Sequence, residues 1–499
     1  MSTMMTTPGF APRSAWTAPR MTAEGREFLR VSTDELATYD PATGELVATI
    51  ETSSLNDVDA AVERAHDAFV RTSWRNDGAL RARVLFRWAE RMRSNVAELA
   101  ELLTREQGKT LAQARGEVQS SINMIEFNAG QARSIFGRAI ALNDGVHGVV
   151  LREPVGVVAA ITPWNYPLNL TIRAVAPALA AGNAVIVKPA SATPAIVVHA
   201  LSLLAADDDL PNGILSAVVG SGATVGDRLV GHDGVQMVAF TGETETGITV
   251  MKRAADGLKK VSLELGGKSP NIVFADANLD KALAGAENAI FSAAGQICTA
   301  GSRLLVEESI HDDFVARLVE RVSSMRVGDG LDPQTQMGPL ISAAQKRAVW
   351  KYVEIGKADA TLVAGGQKLD DEPYDRGHFV APTIFTGVAP GSRLLAEEIF
   401  GPVLAVQSFA SEDEAVELAN GTSFGLACGL WTSNLDRAWR MGRAIEAGTI
   451  WVNTYHHFYA ETEVGGFKRS GVGRQQGIEG LTEFTETKHL NFDSNLNLW

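Results

Sequence analysis

The chain has 499 residues, of which 45% are hydrophobic and 21% charged, with a formal net charge of −14 at pH 7. That length exceeds one hydrophobic core, so two or three domains are expected, and the acidic balance disfavours nucleic-acid or anionic-membrane partners. Two cysteines exclude a disulfide framework, no Cys/His cluster has metal-site spacing and no apolar run is long enough to span a bilayer, so a metal-free cytoplasmic protein is expected.

Residues 1–22 contain Pro8, Pro12 and Pro19, which would break an amphipathic helix, and a disordered tail is expected there. Helical periodicity starts near residue 56 in "NDVDAAVERAHDAFV", with Asn56 or Asp57 as caps, and runs on through "ALRARVLFRWAERMRSNVAELAELLTREQGK". "GVHGVVLREP" then reads as extended. "GVVAAIT", "AVIVK", "LSAVV" and "VQMVAFT" are short β-branched runs, as buried strands are. Between them lie helix-like "LTIRAVAPALAAG", "ATPAIVVHALSLLAA" and "GATVGDRLVG", so the order is that of βαβ units in an open parallel sheet. A second α/β region begins near Pro270, with "FVAPTIF", "VLAVQSF", "GLACGLW" and "TIWVN" as strands. The tail after Glu486 is extended and is expected to pair with "GVHGVVLREP" as an interaction sheet.

Five motifs carry chemistry. "TPWNYP" (162–167) puts the Asn165 amide just past a strand's carboxyl end, where open α/β sheets bind ligands. "VKPAS" (187–191) ends a strand with Lys188. "FTGETETG" (240–247) opens a helix whose N–H groups suit a phosphate. "LELGGKSP" sets Glu264 beside two glycines, and "GQICTAGSR" (295–303) holds Cys298. Taken singly, Asn165 reads as a helix cap, Lys188 as a solvated charge, Glu264 as half of a salt bridge and Cys298 as a small buried hydrophobe. Cys428, inside "FGLACGLW", keeps that last reading.

In this order and at these separations the motifs resemble the aldehyde dehydrogenase family, from "ATYDPATGELVATI" to "GGFKRSGVGR" and "FTETKHL". The resemblance implies an α/β chain with a Rossmann-type cofactor domain (23–138 and 156–269), an α/β catalytic domain (270–466) and a β oligomerisation arm (139–155 and 485–499). It implies that Cys298 attacks the aldehyde, that Asn165 holds the oxyanion and that Glu264 is general base for thioester hydrolysis, the glycines beside it leaving it room to move. Thr162, Pro163, Trp164, Lys188, Ser191, Gly222, Phe240, Thr241, Gly242, Glu243, Gly266, Glu398 and Phe400 are implied to bind NAD or NADP. Ser191, where many relatives carry a glutamate that repels a 2′-phosphate, favours NADP or dual use. Glu243 replaces a common serine and is expected to turn outward or meet a cation. Gln475 stands where many relatives have a relay carboxylate, and Glu486, Arg474 and Lys260 match a charged cluster.

Asn165, Asn169 and Arg173 recur at i, i+4 and i+8, so a helix starting near Asn165 would show all three on one face. By resemblance this face lines the substrate tunnel with Tyr166, Leu170, Ser292, Ile297, Thr299, His456, His457, Phe458 and Tyr459. Arginine suits a carboxylate, so a polar or anionic aldehyde is expected, and a homodimer or homotetramer. The alternatives are a CoA-acylating enzyme, which usually lacks the glutamate at 264, and a non-catalytic protein that kept the fold.

Overall fold

A computed structural model describes residues 16–17 and 34–494. Trp16 and Thr17 form a short strand against Ala48 and Thr49; the rest of the expected disordered tail lies outside the described residues. The first helix, Leu55–Arg71, is capped by Ser54 rather than Asn56 or Asp57. Asp57 instead completes a capping box, its carboxylate accepting the Ser54 N–H at 2.9 Å.

One large sheet has six strands, in the order Gly471–Val472, Lys260–Glu264, Met237–Thr241, Val157–Ile161, Ala184–Lys188, Leu215–Ala217. All pairs are parallel except that made by the edge strand Gly471–Val472. Val157–Ile161 and Ala184–Lys188 are wholly buried and β-branched, as strands covered on both faces must be. After Val157–Ile161 the chain winds to one side of the sheet, then returns to place Met237–Thr241 on the other. This reversal opens a crevice at the strands' carboxyl ends.

The second sheet has seven strands, in the order Thr361–Ala364, Thr383–Thr386, Val403–Phe409, Arg303–Glu307, Pro270–Val273, Ala427–Trp431, Thr449–Val452. The four sequence-read strands of this region are all present. Only five residues, 265–269, connect Glu264 at the end of the first sheet to Pro270 at the start of the second. Cys298 precedes Arg303, whose strand starts level with Pro270. The carboxyl edge of one sheet is thus tied closely to the amino edge of the other.

Arg138–Asn143, Val146–Pro154 and Thr485–Asp493 form a separate three-stranded antiparallel sheet, which pairs the two segments read as extended. Ile140, Leu142, Leu490 and Phe492 are exposed on it.

Candidate active site

Helix Pro167–Ala181 begins after Tyr166, so the helix expected from Asn165 starts two residues later. The cause is local: Tyr166 precedes a proline and is kept out of the helical region, at φ −128°, ψ 64°. Asn169 and Arg173 share a helix face, while Asn165 reaches the same space from the preceding turn. Its Nδ2 donates to the Gln296 carbonyl at 2.9 Å, which fixes the amide and leaves its second hydrogen for a ligand.

Cys298 follows helix Leu279–Phe291 through a left-handed stretch, with φ of 48°, 54° and 71° at Ala293, Ala294 and Gly295. A Cβ at Gly295 would lie 2.3 Å from the Gly401 carbonyl oxygen, so only glycine fits. Gln296 locks the turn: its Nε2 donates to the Ala293 carbonyl at 3.0 Å and its Oε1 accepts the Ile341 N–H at 2.9 Å. Burial pushes the Cys298 thiol up to about 12, against the pull of Arg173; the nearby Glu398 and Glu264 raise it further.

Glu264 is 4% exposed and its Oε1 has no hydrogen-bond partner. Burial raises its carboxyl from the usual 4.5 to about 7, with Arg173 and Arg474 opposing. The neighbouring glycines make close contacts that a side chain would block. A Cβ on Gly266 would sit 2.2 Å from Glu398 Oε2, and one on Gly267 would sit 2.3 Å from the Cys298 carbonyl oxygen. Gly267 N–H donates to Glu398 Oε1 at 3.0 Å, so Glu398, Glu264 and Cys298 converge on one short turn. Phe400, at φ 55°, meets Trp164 edge-on with ring centroids 5.3 Å apart.

A cavity of about 480 Å³ ends at Cys298. Asn165, Tyr166, Asn169, Leu170, Arg173, Ser292, Ile297, Thr299, His456, His457, Phe458 and Tyr459 all line it, so the structure brings together every residue expected in the tunnel. Trp451 Nε1 donates to the His457 carbonyl at 2.8 Å and the Tyr455 hydroxyl donates to the Thr299 carbonyl at 2.9 Å, which pin the 456–459 loop. Gln113, Gly116, Glu117, Ser120, Asn288 and Gln476 also line the cavity and were not foreseen. The signal for three of them was a polar stripe, Gln113, Glu117 and Ser120, at helical spacing in Leu111–Gln131.

A second cavity, of about 530 Å³, lies at the crevice between Gly222, Ala223 and Gly226 and the helix Thr244–Ala255. Gly222 and Phe240 line it as expected, and Val230, Thr249, Val250 and Arg253 were missed. Gly222–Gly226 is a π-turn leading into the short helix Asp227–Gly231, where one continuous helix was expected. Thr162, Pro163 and Trp164 follow one strand of the crevice, Thr241, Gly242 and Glu243 end the next, and Lys188 ends a third. The chemistry fits a dinucleotide. Lys188 is 4% exposed and its amino group, with three donors, gives one hydrogen bond, to the Pro189 carbonyl at 3.0 Å. Burial lowers its pKa to about 8. Ser191 Oγ donates to the Gly220 carbonyl at 3.1 Å. Glu243 is exposed at the helix start, makes no cap bond, and stands near enough to Glu398 to help raise its carboxyl. Gln475 is buried, with Nε2 3.5 Å from Ser262 Oγ and an unpartnered Oε1. Lys260 pairs with Glu486 at 3.5 Å, while Arg474 donates to the Gly473 carbonyl at 2.7 Å instead of joining them. Among the described residues no group of three or more His, Cys, Asp or Glu is placed to hold a metal, and no helix is long and apolar enough to cross a membrane.

A Rossmann-type crevice beside a half-buried cysteine and a buried glutamate and amide defines a dinucleotide-dependent oxidoreductase with a thiol nucleophile. The chain belongs to the aldehyde dehydrogenase family, whose model matches residues 28–490. It is 42% identical to the betaine aldehyde dehydrogenase of Bacillus subtilis (strain 168), covering 90% of this chain and 92% of that one. It is 41% identical to an aldehyde dehydrogenase of Enchytraeus buchholzi, over 92% of both chains. Betaine aldehyde dehydrogenase of Staphylococcus aureus in complex with NAD+ superimposes with a TM-score of 0.92 at 34% identity, covering 96% of this chain and 97% of that one. The chain is an NAD(P)-dependent enzyme that oxidises an aldehyde to the acid.

Proposed function

We propose that the enzyme oxidises a polar or anionic aldehyde, a carboxylate-bearing semialdehyde foremost, through a covalent bond to Cys298. As Cys298 Sγ bonds to the aldehyde carbon, the thiol proton passes to Glu264. The Asn165 amide and the Cys298 N–H hold the oxygen that becomes negative. Lys188, Glu398 and the Gly222–Gly226 turn would hold the dinucleotide, which would accept the hydride leaving the aldehyde carbon as the thioester forms. Glu264 gives up the thiol proton to solvent and then takes a proton from water, whose oxygen attacks the thioester carbon; the C–S bond breaks, the acid is released, and the leaving sulfur takes the proton from Glu264. A BME-modified cysteine in a Staphylococcus aureus relative bound to NAD+ supports a reactive thiol.

One observation carries the substrate class. Arg173 is 7% exposed in the cavity wall, its Nε has no hydrogen-bond partner, and no ion pair within 4 Å engages it among the described residues. Thr299 Oγ1, His456 Nε2 and Gln476 Oε1 are also buried and unpartnered in that wall. Such groups are costly to leave unmade and favour a ligand that satisfies them. The relatives' names favour a second reading, betaine aldehyde, but a buried guanidinium repels a quaternary ammonium. Steady-state kinetics with succinic semialdehyde, hexanal and betaine aldehyde separates the two. Arg173→Leu should raise KM for succinic semialdehyde by about 10²-fold, the scale of a lost charged hydrogen bond, and leave KM for hexanal nearly unchanged, while any change in kcat through Cys298 and Glu264 is shared by both. Equal effects on the two, or a wild-type preference for betaine aldehyde, would reject the anionic reading.

The cofactor reading is dual use. With serine at 191 no carboxylate stands against a 2′-phosphate, so NADP+ is accepted beside NAD+. Ser191→Glu should cut kcat/KM for NADP+ by about 10²-fold through like-charge repulsion, and alter NAD+ use far less. The exposed apolar side chains of the three-stranded arm support its role in forming a dimer or tetramer.

A further inference from the structure

We propose that the buried Lys109–Glu117 pair is a positioning device that aims the Asn165 amide at the reacting carbonyl, an inference resting on the oxyanion role proposed for Asn165. Both side chains are fully inaccessible, and they form an ion pair with each other. Neither stops there. Lys109 Nζ donates to the Asn165 carbonyl oxygen at 2.9 Å and lies 3.5 Å above the Tyr166 ring centroid. Glu117 Oε1 accepts the N–H groups of Leu168 and Asn169 at 3.0 and 3.1 Å, capping the helix that Pro167 starts. Tyr166 and Pro167 offer no side-chain cap, so this carboxylate replaces it. The turn from Asn165 to Asn169 is thereby held at both ends by one ion pair.

The device is anchored across the domain boundary. A Cβ on Gly108 would lie 2.9 Å from Pro339 Cγ, and one on Gly330 would lie 2.3 Å from the Lys109 carbonyl oxygen, so residues of the catalytic domain press on the Lys109 turn. The Pro339 carbonyl accepts from Gln296 Nε2 at 3.4 Å, and the Gln296 carbonyl accepts from Asn165 Nδ2 at 2.9 Å. The contacts close a ring, Lys109 to Asn165 to Gln296 to Pro339 to Gly108, of which Asn165 is the member that lines the cavity at Cys298. An isolated buried ion pair contributes little net stability, and one with further hydrogen bonds to both partners acts by fixing geometry.

The test uses K109M/E117Q, which removes both charges while the amide oxygen introduced at position 117 still caps the helix. The measurements are kcat and KM with hexanal, the NAD+ dissociation constant, and Tm. The expected result is a kcat loss of about 10²-fold, as for one misaligned oxyanion donor, with KM, NAD+ affinity and Tm near wild type. In an Asn165→Ala background the same pair should change kcat by less than about 3-fold, because both act through one amide. The wholly apolar K109M/E117L, which also leaves the Leu168 and Asn169 N–H groups uncapped, should lose Tm but show the same non-additivity in kcat. Unchanged kcat in the folded double variants, or an equal loss with and without Asn165, would overturn the inference. If Asn165→Ala alone leaves kcat intact, the oxyanion reading falls instead; if it lowers kcat and the pair variants do not, only the positioning role falls.

Discussion

Cys298→Ala should lower aldehyde oxidation by about 10⁴-fold or more, the scale seen when a covalent nucleophile is removed. The loss should fall on chemistry and not on cofactor binding, because Lys188, Ser191 and the second cavity belong to another part of the sheet edge. Intact-protein mass spectrometry under turnover should show an acyl adduct on the wild type and none on the variant, while NAD+ still titrates into both. Cys428→Ala is the control. That thiol is fully buried in strand Ala427–Trp431 and donates to the Gly429 carbonyl at 3.3 Å, so its loss should cost some stability and no chemistry. Turnover that survives in the Cys298 variant would remove the covalent mechanism.

Glu264→Gln should have the next largest effect, about 10²–10⁴-fold in kcat, as expected for a general base. Because burial pushes the Cys298 thiol to about 12, it is neutral at neutral pH and must lose its proton as it attacks. A carboxylate near 7 is matched to that task, since a base works best close to the operating pH. In the wild type kcat should therefore rise as pH increases through about 7, where Glu264 loses its proton, and this limb should vanish in the variant. Stability moves the opposite way. The folded carboxyl holds its proton up to about 7, whereas in the unfolded chain it ionises near 4.5, so folding stability falls as pH rises between these values. Glu264→Gln removes that cost. It should be more stable than wild type above pH 7, by about 3 kcal/mol, and equal below pH 4.5, as followed by Tm across pH. A variant that keeps the activity limb near pH 7 would place the base elsewhere.

The motif residues that end strands were readable because a strand's end and the first residues after it are local facts. Lys188 and Thr241 each close a strand read from its β-branched residues, whereas Lys260–Glu264, in which Val261 alone is β-branched, does not read as a strand from the sequence. Tyr166 shows where periodicity misleads: Asn165, Asn169 and Arg173 have helical spacing, yet the proline at 167 delays the helix and Asn165 enters the site from a turn. The glycines after Glu264 show another limit. Their lack of side chains was visible, but the reason, contact with Glu398 and the Cys298 carbonyl, lies 131 and 31 residues away in the chain.

The sequence alone determined most strands and helices, the family, and which residues are proposed as nucleophile, base and amide, because each depends on neighbours within a few positions or on motif order. Tertiary structure alone decides that Glu264 is raised and Cys298 held neutral, since burial depends on what packs around them. It also decides that, among the described residues, Arg173 has no ion-pair partner in the cavity wall and that Lys109 reaches the Asn165 carbonyl. Charge and hydrogen bonding act through space, and the chain brings those groups together only once two sheets meet edge to edge.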